Sequence, residues 1–387
     1  QWAGCARFTW NHSLAMRTKA YQRRGETLTS VDVSRHLTQL KKHPDFAWLA
    51  ACPATVLTQT LRDQDRAFKN FFQGHAHYPR FKKKKHGFSI RFQLDQRRIA
   101  DIYRPGGSIK IPKLGTILPH WSRIPKGIPK MVTLTKTPDG RYYVSFSVEE
   151  EILSLPKTNE AEGIDLNMGS FVLSDGTAIH LPRPLRRLEK KLAHLQRLFS
   201  RKRKGSRTWH RTRRKIARLH AKIAAIRLDF LHKLTTWLVR TYDAIGIEDL
   251  AVKAMARGMV GGKAVLDVGM SLFRRLLEYK AQWYGKKLVV VDRFFPSTRL
   301  CSTPGCGYIS NPIPLHVRTW TCPRCGATHQ RDVNAARNLK AAAVEAYSTS
   351  SGNGEYTRGE AGSGPGAVLQ GETGLCEARR PGFCFVR

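Results

Sequence analysis

"EGIDLNMGSFVLSDGTAIHL" occupies residues 162–181. Apolar and polar residues alternate along it in three short runs, the period expected of strands whose two faces meet different surroundings. Asp175-Gly176 joins the second run to the third as a tight hairpin turn, and Gly169 separates both from a first run around Asp165. The stretch therefore predicts three consecutive antiparallel strands. In the first, Ile164 and Leu166 share one face and Asp165 takes the other, which places an ionisable group at the centre of a sheet.

Downstream, Leu185, Leu188, Leu192, Leu195 and Phe199 recur three and four residues apart, then "RKRKGSR", then Ile216, Leu219, Ile223, Ile226, Phe230 and Leu234. That spacing predicts an antiparallel helical hairpin over 183–240. A strand "DAIGIEDL" (243–250), a glycine-rich loop to Gly269, a helix Leu272–Tyr284, a strand "KLVVVDRF" (287–294), a cysteine-bearing insertion (296–330) and a helix Val333–Tyr347 complete the series. Three strands, helices, strand, helix, strand, insertion, helix is the chain order of a ribonuclease H-like α/β fold, here over 159–347. From Ser348 the composition turns to Gly, Ser and Glu, which predicts a disordered tail over 348–387.

Upstream, residues 7–73 read as helical, with Ser30 as an N-cap and with Val56, Leu57, Leu61, Phe68, Phe71 and Phe72 near helical spacing. Pro44 and Pro53 separate the helices of this first domain (1–80). A second, small β-domain (81–158) starts in the basic "YPRFKKKKHGFSIRFQL" (78–94). "SIKIP" and "MVTLTKTPDGRYYVSFSV" (131–148) continue it, the latter a hairpin across a Pro-Asp-Gly turn.

The chain carries 67 Lys and Arg against 29 Asp and Glu, a net charge of +38. Such an excess repels itself until a polyanion neutralises it, and nucleic acid is the default partner. With no apolar run near ~18 residues and no isolated basic amphipathic segment, a membrane surface is excluded as the alternative. The hairpin concentrates the charge, with 20 Lys and Arg against Glu189 and Asp229 over 183–240; Arg201, Lys202, Arg203 and Lys204 lie at its turn. Cys5, Cys52, Cys376 and Cys384 are widely separated and read as free thiols of a reducing cytosol. The chain opens on Gln1 without a secretory segment, which predicts an intracellular protein lacking a first strand.

Cys301-STPG-Cys306 and Cys322-PR-Cys325 offer four soft ligands in two pairs, with a glycine after Cys306 and after Cys325 for the knuckle turns. Such pairs bind one tetrahedral zinc, and four thiolates leave no open position, so this zinc is structural. Arg318 and Arg324 are candidates for phosphate contact; Trp320 either stacks on bases or packs the ribbon's small core. Glu248 ends its strand in the same sense as Asp165, and Asp332 precedes the last helix, where it also reads as an N-cap. Asp249 and Asp292 are nearby competitors. Singly, each acid reads as a strand-end or cap residue; together, on the first strand, fourth strand and last helix of one fold, they converge and require divalent metal to coexist.

"YPRFKKK", "GIDL", "DFLHKLTTWLVR", "IGIEDL", "LEYKAQWYGKKL", "FPSTRLC" and "RTWTCPRCGATHQRDVNAARN", in order from about residue 5 to 347, resemble the transposon-encoded TnpB (OrfB) proteins. These are RNA-guided DNA endonucleases related to type V CRISPR effectors. The resemblance implies a RuvC-like nuclease domain with an inserted zinc ribbon, preceded by a small β-barrel wedge domain that a helical recognition domain interrupts. It implies Asp165, Glu248 and Asp332 as catalytic acids holding two magnesium ions, and zinc on Cys301, Cys306, Cys322 and Cys325. The implied partners are a guide RNA from the transposon end and double-stranded DNA cleaved beside a short flanking motif, with one protein copy per complex, in a bacterial or archaeal cytoplasm at the nucleoid. Gln59, Arg62 and Lys69 are candidates to read the flanking motif, and Arg80, Lys82, Lys83 and Lys84 to track backbone. Two departures stand out: the first cysteine pair is spaced by four residues where members show two, and Asn167 stands where glycine is common. A nuclease-inactive, RNA-guided regulator and an unguided transposase are the rival readings; the intact acids disfavour the first, and strand joining without RNA would mark the second.

Overall fold

The computed structural model describes residues 1–351 except 85, 86, 112, 259–261 and 315. It divides into two compact units between Glu150 and Glu151. The tail expected to be disordered lies outside the described residues from 352 onward.

The first unit opens with α1 (Trp2–Arg24), α2 (Ser30–Leu40), a 3₁₀ turn over Pro44–Ala51 and α3 (Ala54–Phe72). Thr29, not Ser30, caps α2. Its hydroxyl accepts from Asp32 N at 3.3 Å while Asp32 Oδ2 accepts from Thr29 N at 3.0 Å. A capping box needs an acid three residues on, and three residues after Ser30 stands Val33, which cannot return the bond. Buried Gln64 ties α3 to α1 by accepting from Ser13 Oγ (2.5 Å) and donating to Trp10 O (2.9 Å).

Strand β1 (Phe88–Gln93) follows, then the one-turn α4 (Ile99–Ile102), β2 (Ile109–Ile111), β3 (Gly115–Ile117), β4 (Met131–Lys136) and β5 (Tyr142–Ser147). β4 and β5 form the expected hairpin, with Gly140 at φ 88° in its turn. The expected barrel is not formed: among the described residues the strands make a three-stranded sheet, β1-β4-β5, and a separate two-stranded ribbon, β2-β3. The face a barrel would fold over is covered by helices. Cys5, Ala6, Val56 and Leu57 share one core with Ile90, Phe92, Ile109, Ile111 and Val132, so helices and strands of residues 1–150 are one packed body.

The second unit begins with β6 (Ala161–Leu166), β7 (Ser170–Leu173) and β8 (Ala178–His180), antiparallel in sequence as expected. The basic hairpin is α5 (Pro184–Ser200) and α6 (Arg207–Thr241), held by Leu192, Leu219 and Ile223. Buried Asp267 locks its base, accepting from Leu185 N (3.0 Å) and Arg186 N (3.1 Å) and pairing with Arg227 (3.0 Å). Next come β9 (Ala244–Glu248), α7 (Val252–Gly258), α8 (Gly262–Val268), α9 (Met270–Trp283), β10 (Lys287–Val291), the short β11 (Thr319–Thr321) and β12 (Thr328–Gln330), and α10 (Arg331–Ser351). The glycine-rich loop thus contains two short helices, because its glycines bracket runs rich in Ala, Val and Lys. The last helix runs past Ser348, where a tail was expected, since Ala341, Ala342 and Ala343 favour helix and no glycine intervenes before Gly352.

The sheet order is β10-β9-β6-β7-β8, with β9 parallel to β6 and β10 parallel to β9. One face carries Ile164, Leu166, Ile245 and Ile247 against Leu231, Leu234 and Leu238 of α6 and Phe273, Leu276 and Leu277 of α9. The other face receives α10. Gly163 and Gly246 are paired in register. A Cβ on Gly163 would lie 2.0 Å from Ala336 O, and one on Gly246 would lie 2.2 Å from Leu339 O. The helix backbone therefore rests on bare strand backbone, which only glycine permits.

Candidate functional site

Alternation along β6 puts Asp165 on the same face as Gly163, beneath the start of α10. Glu248 is in the same position on β9: Ile164 pairs with Ile247, so the next residues, Asp165 and Glu248, stand side by side where the two parallel strands end. Asp332 lies in the first turn of α10 rather than at its N-cap, because the helix already starts at Arg331. Asp165 is 6% exposed. Burial first, then the charges of Glu248 and Asp332, push its carboxyl up to about 7, against the lowering effects of a 2.6 Å hydrogen bond from Asn167 Nδ2 and of Arg331. Asp165 thus lies within the electrostatic reach of both other acids named from sequence. Asn167, the departure from the family pattern, holds the central carboxylate.

Glu248 Oε1 accepts a hydrogen bond from Ser297 Oγ, and Asp332 pairs with Arg318 at 3.5 Å. The competitors are engaged elsewhere. Asp249 is taken by Arg274 (2.5 Å) and Arg293 (2.9 Å), and exposed Asp292 accepts from Phe294 N (2.8 Å) in its own turn.

The four cysteines form the second cluster. Their sulfurs all lie within 4.8 Å of one another, the one such group of potential metal ligands among the described residues; the three carboxylates are not drawn in that far. Cys301 and Cys325 are 3.6 Å apart, as are Cys306 and Cys322. Both knuckles place a glycine in the left-handed region, Gly307 at φ 65° and Gly326 at φ 73°. The longer first loop closes through Cys306 N donating to Thr303 O (3.1 Å) and Cys301 N donating to Tyr308 O (2.8 Å). The N–H of Ala327 leads in holding the Cys325 thiol down at about 6. For Cys306, the lowering effect of the Tyr308 N–H is outweighed by burial and the neighbouring thiols, which push it up to about 12. Such a cluster suits one divalent metal ion, which would hold all four as thiolates. Buried His329, which the sequence did not single out, places Nε2 3.0 Å from Cys301 Sγ.

A protein of Streptomyces pristinaespiralis named "Putative RNA-guided DNA endonuclease" is 41% identical over 353 residues, covering 90% of this chain and 86% of its own. The chain belongs to the OrfB IS605 family. That family's profile, described as "Probable transposase", matches residues 144–259, a "Cas12f1-like, TNB domain" matches 271–339, and a "Helix-turn-helix domain" matches 1–26. The Escherichia coli K12 protein "Putative RNA-guided DNA endonuclease InsQ" is 34% identical over 88% of this chain and 87% of its own. A cryo-EM structure of a Cas12f1-sgRNA-target DNA complex aligns over 88% of this chain and 93% of that one, at 14% identity and a TM-score of 0.33.

In this OrfB IS605 protein the residues proposed for nucleic-acid contact divide sharply. Gln59 is corrected: it is 4% exposed and donates to Gln93 of β1, because the face of α3 that looked merely polar packs on the sheet. Trp320 takes the packing alternative, against His329 and the cysteines. Arg324 donates to Cys306 O at 2.6 Å and so braces the knuckle. Lys82 sets its ammonium 3.7 Å over the Trp10 ring. Arg62, Lys69, Arg80, Lys83, Lys84, Arg201, Arg203 and Lys204 are exposed, and Lys202 is half-buried. No helix among the described residues is long and apolar enough to cross a membrane.

Proposed function

We propose that this OrfB IS605 protein is an RNA-guided DNA endonuclease that hydrolyses target phosphodiesters beside a short flanking motif. The observation that carries the reading is the meeting of Asp165, Glu248 and Asp332: two acids at adjacent parallel strand ends and one above them on α10, close enough that the second and third raise the pKa of the first. The names of relatives matched over most of the chain support it. The strand order, three antiparallel strands followed by two parallel ones, supports a ribonuclease H-like nuclease core.

Buried Asp165, with the charges of Glu248 and Asp332 acting on it, makes a set of three carboxylate donors whose chemistry fits divalent cations. Asp165, Glu248 and Asp332 would hold the magnesium, which when bound would supply an activated water and a stabilised leaving oxygen. Arg318 fixes Asp332, Asn167 fixes Asp165, and Ser297 fixes Glu248. The thiol cluster fits zinc. A tetrahedral site with Zn–S near ~2.3 Å needs sulfurs about 3.8 Å apart, against 3.6 Å for the two bonded pairs.

Sequence choice is delegated to guide pairing, while the protein holds the heteroduplex by its backbone. In the second unit the exposed cations of the α5–α6 turn, and in the first those of residues 80–84, each supply backbone contacts, and the helices of residues 1–80 read the flanking motif. The test is cleavage of double-stranded DNA by the protein loaded with transposon-end RNA in magnesium. Guide-directed cuts that Asp165→Ala abolishes are expected. RNA-free protein that joins DNA ends, or guided binding without cutting by the intact chain, would overturn the reading.

A further inference from the structure

We propose that Ser297 is the positioning residue for the Glu248 carboxylate and that Asn334 and Asn338 of α10 hold it in place; this rests on the nuclease reading above. Ser297 lies in the segment between β10 and the first cysteine, a stretch with little regular structure to satisfy its backbone. Its hydroxyl donates to Glu248 Oε1, and the residue is 4% exposed. Its neighbours' carbonyls find their partners on α10. Asn338 Nδ2 donates to Ser297 O and to Leu300 O, both at 2.7 Å. Asn334 Nδ2 donates to Leu300 O at 2.7 Å and lies within reach of Ser297 O and Thr298 O, while its Oδ1 accepts from Ser302 N at 3.0 Å. Both asparagines are buried.

The spacing of four residues puts the two amides on one face of the helix, one turn apart. The same helix carries Asp332 in its first turn. Two acids of the centre are thereby set by one rigid element: Asp332 directly, and Glu248 through Asn338 and Ser297. The requirement on residue type is strict. Aspartate at 338 would offer no N–H to either carbonyl and would bury an unpaired negative charge against two carbonyl oxygens, so the amide is needed as a double donor.

The physical consequence falls on cation binding. Glu248 repels Asp165, and a carboxylate with free χ rotations would turn away from its neighbour until an ion drew it back. The Ser297 hydroxyl, fixed by α10, keeps Glu248 aimed at the site beforehand. Groups that orient a ligand from behind are typically worth about 10-fold or more in metal affinity.

Ser297→Ala removes the hydroxyl and little volume; Ser297→Thr keeps it. Two readouts are taken on the full chain with its zinc retained: the magnesium midpoint of guided cleavage, and Mn²⁺ binding by electron paramagnetic resonance on nucleic-acid-free protein, with Glu248→Gln as the reference for loss. Ser297→Ala is expected to raise both the midpoint and the Mn²⁺ dissociation constant roughly tenfold, to change the rate at saturating magnesium by less, and to leave zinc content and Tm unaltered; Ser297→Thr restores binding. Wild-type binding of Mn²⁺ with Ser297→Ala within about twofold of it would overturn the proposal alone. A wild-type chain that neither cuts nor binds Mn²⁺ would overturn the nuclease reading and this proposal together.

Discussion

Gly163 and Gly246 lie opposite each other on adjacent parallel strands, and the backbone of α10 rests on both. The contact fixes how closely Asp332 approaches Asp165, because the helix that bears one acid sits on the strand that bears the other. A methyl group at 163 would meet Ala336 O at 2.0 Å and Lys340 N at 2.3 Å, both backbone atoms that no side-chain rotation relieves. Gly163→Ala is therefore expected to cost about 1–3 kcal/mol or more, the range of overpacked cores. It should also cut guided cleavage more than RNA binding, since α10 must lift. Differential scanning calorimetry and cleavage rates check it; an unchanged Tm would refute the close approach.

Asp165 supplies a pH test. Its folded carboxyl is held at about 7 against 3.8 for the ordinary group, chiefly by burial. Between those values the folded chain keeps a proton that the unfolded chain releases, so this group's contribution to stability falls as pH rises through that window. At pH 8 in chelator the cost is on the order of 4 kcal/mol, and it vanishes below pH 4. Asp165→Asn should accordingly raise Tm by several degrees at pH 8 without divalent cations and hardly at all near pH 4. Parallel Tm-against-pH curves for the two proteins would contradict the assigned burial. For the same reason wild-type cleavage at low magnesium should rise with pH through about 7, where the carboxylate becomes available to a cation.

The thiol cluster predicts one zinc per chain. Blocking the thiols with a mercurial should release one equivalent to a chromogenic chelator. Cys322→Ser, at the buried end of the cluster, should lose metal and open residues 301–330 to protease while the sheet of the second unit stays folded. Finding no metal in freshly purified protein, or a Cys301–Cys325 disulfide, would count against the site.

The sheet and the cysteine cluster could be read from sequence because each has a local signature: period-two alternation with Asp175-Gly176, and paired cysteines with following glycines. One further signal was present and went unread. Gly163-Ile164-Asp165 and Gly246-Ile247-Glu248 repeat a glycine, an isoleucine and an acid, which in parallel register is what aligns two carboxylates. Other features had no local form at all. Gln59 looks like any polar residue on an amphipathic helix, and only the sheet packed over α3 makes it buried. Asn334 and Asn338 serve carbonyls 34 to 41 residues away in a stretch with no pattern. Thr29 and Ser30 are both good caps, and the choice fell to Asp32 three residues on.

The turn between α5 and α6 gives the last test. Arg201, Arg203 and Lys204 are exposed, and no hydrogen bond or ion pair ties their side chains to the rest of the described chain. Replacing all three with alanine should leave Tm unchanged, because nothing buried is removed. If the three contact phosphates of a bound nucleic acid, each releases about one condensed counterion, so the slope of log affinity against log salt should become shallower by about 2 to 3. Affinity should fall alike for matched and mismatched targets, since backbone contacts carry no sequence information. Titrations of the guide complex with target duplex across a salt series measure both quantities. An unchanged slope would remove the hairpin turn from the backbone contacts and shift the role to Arg80, Lys83 and Lys84.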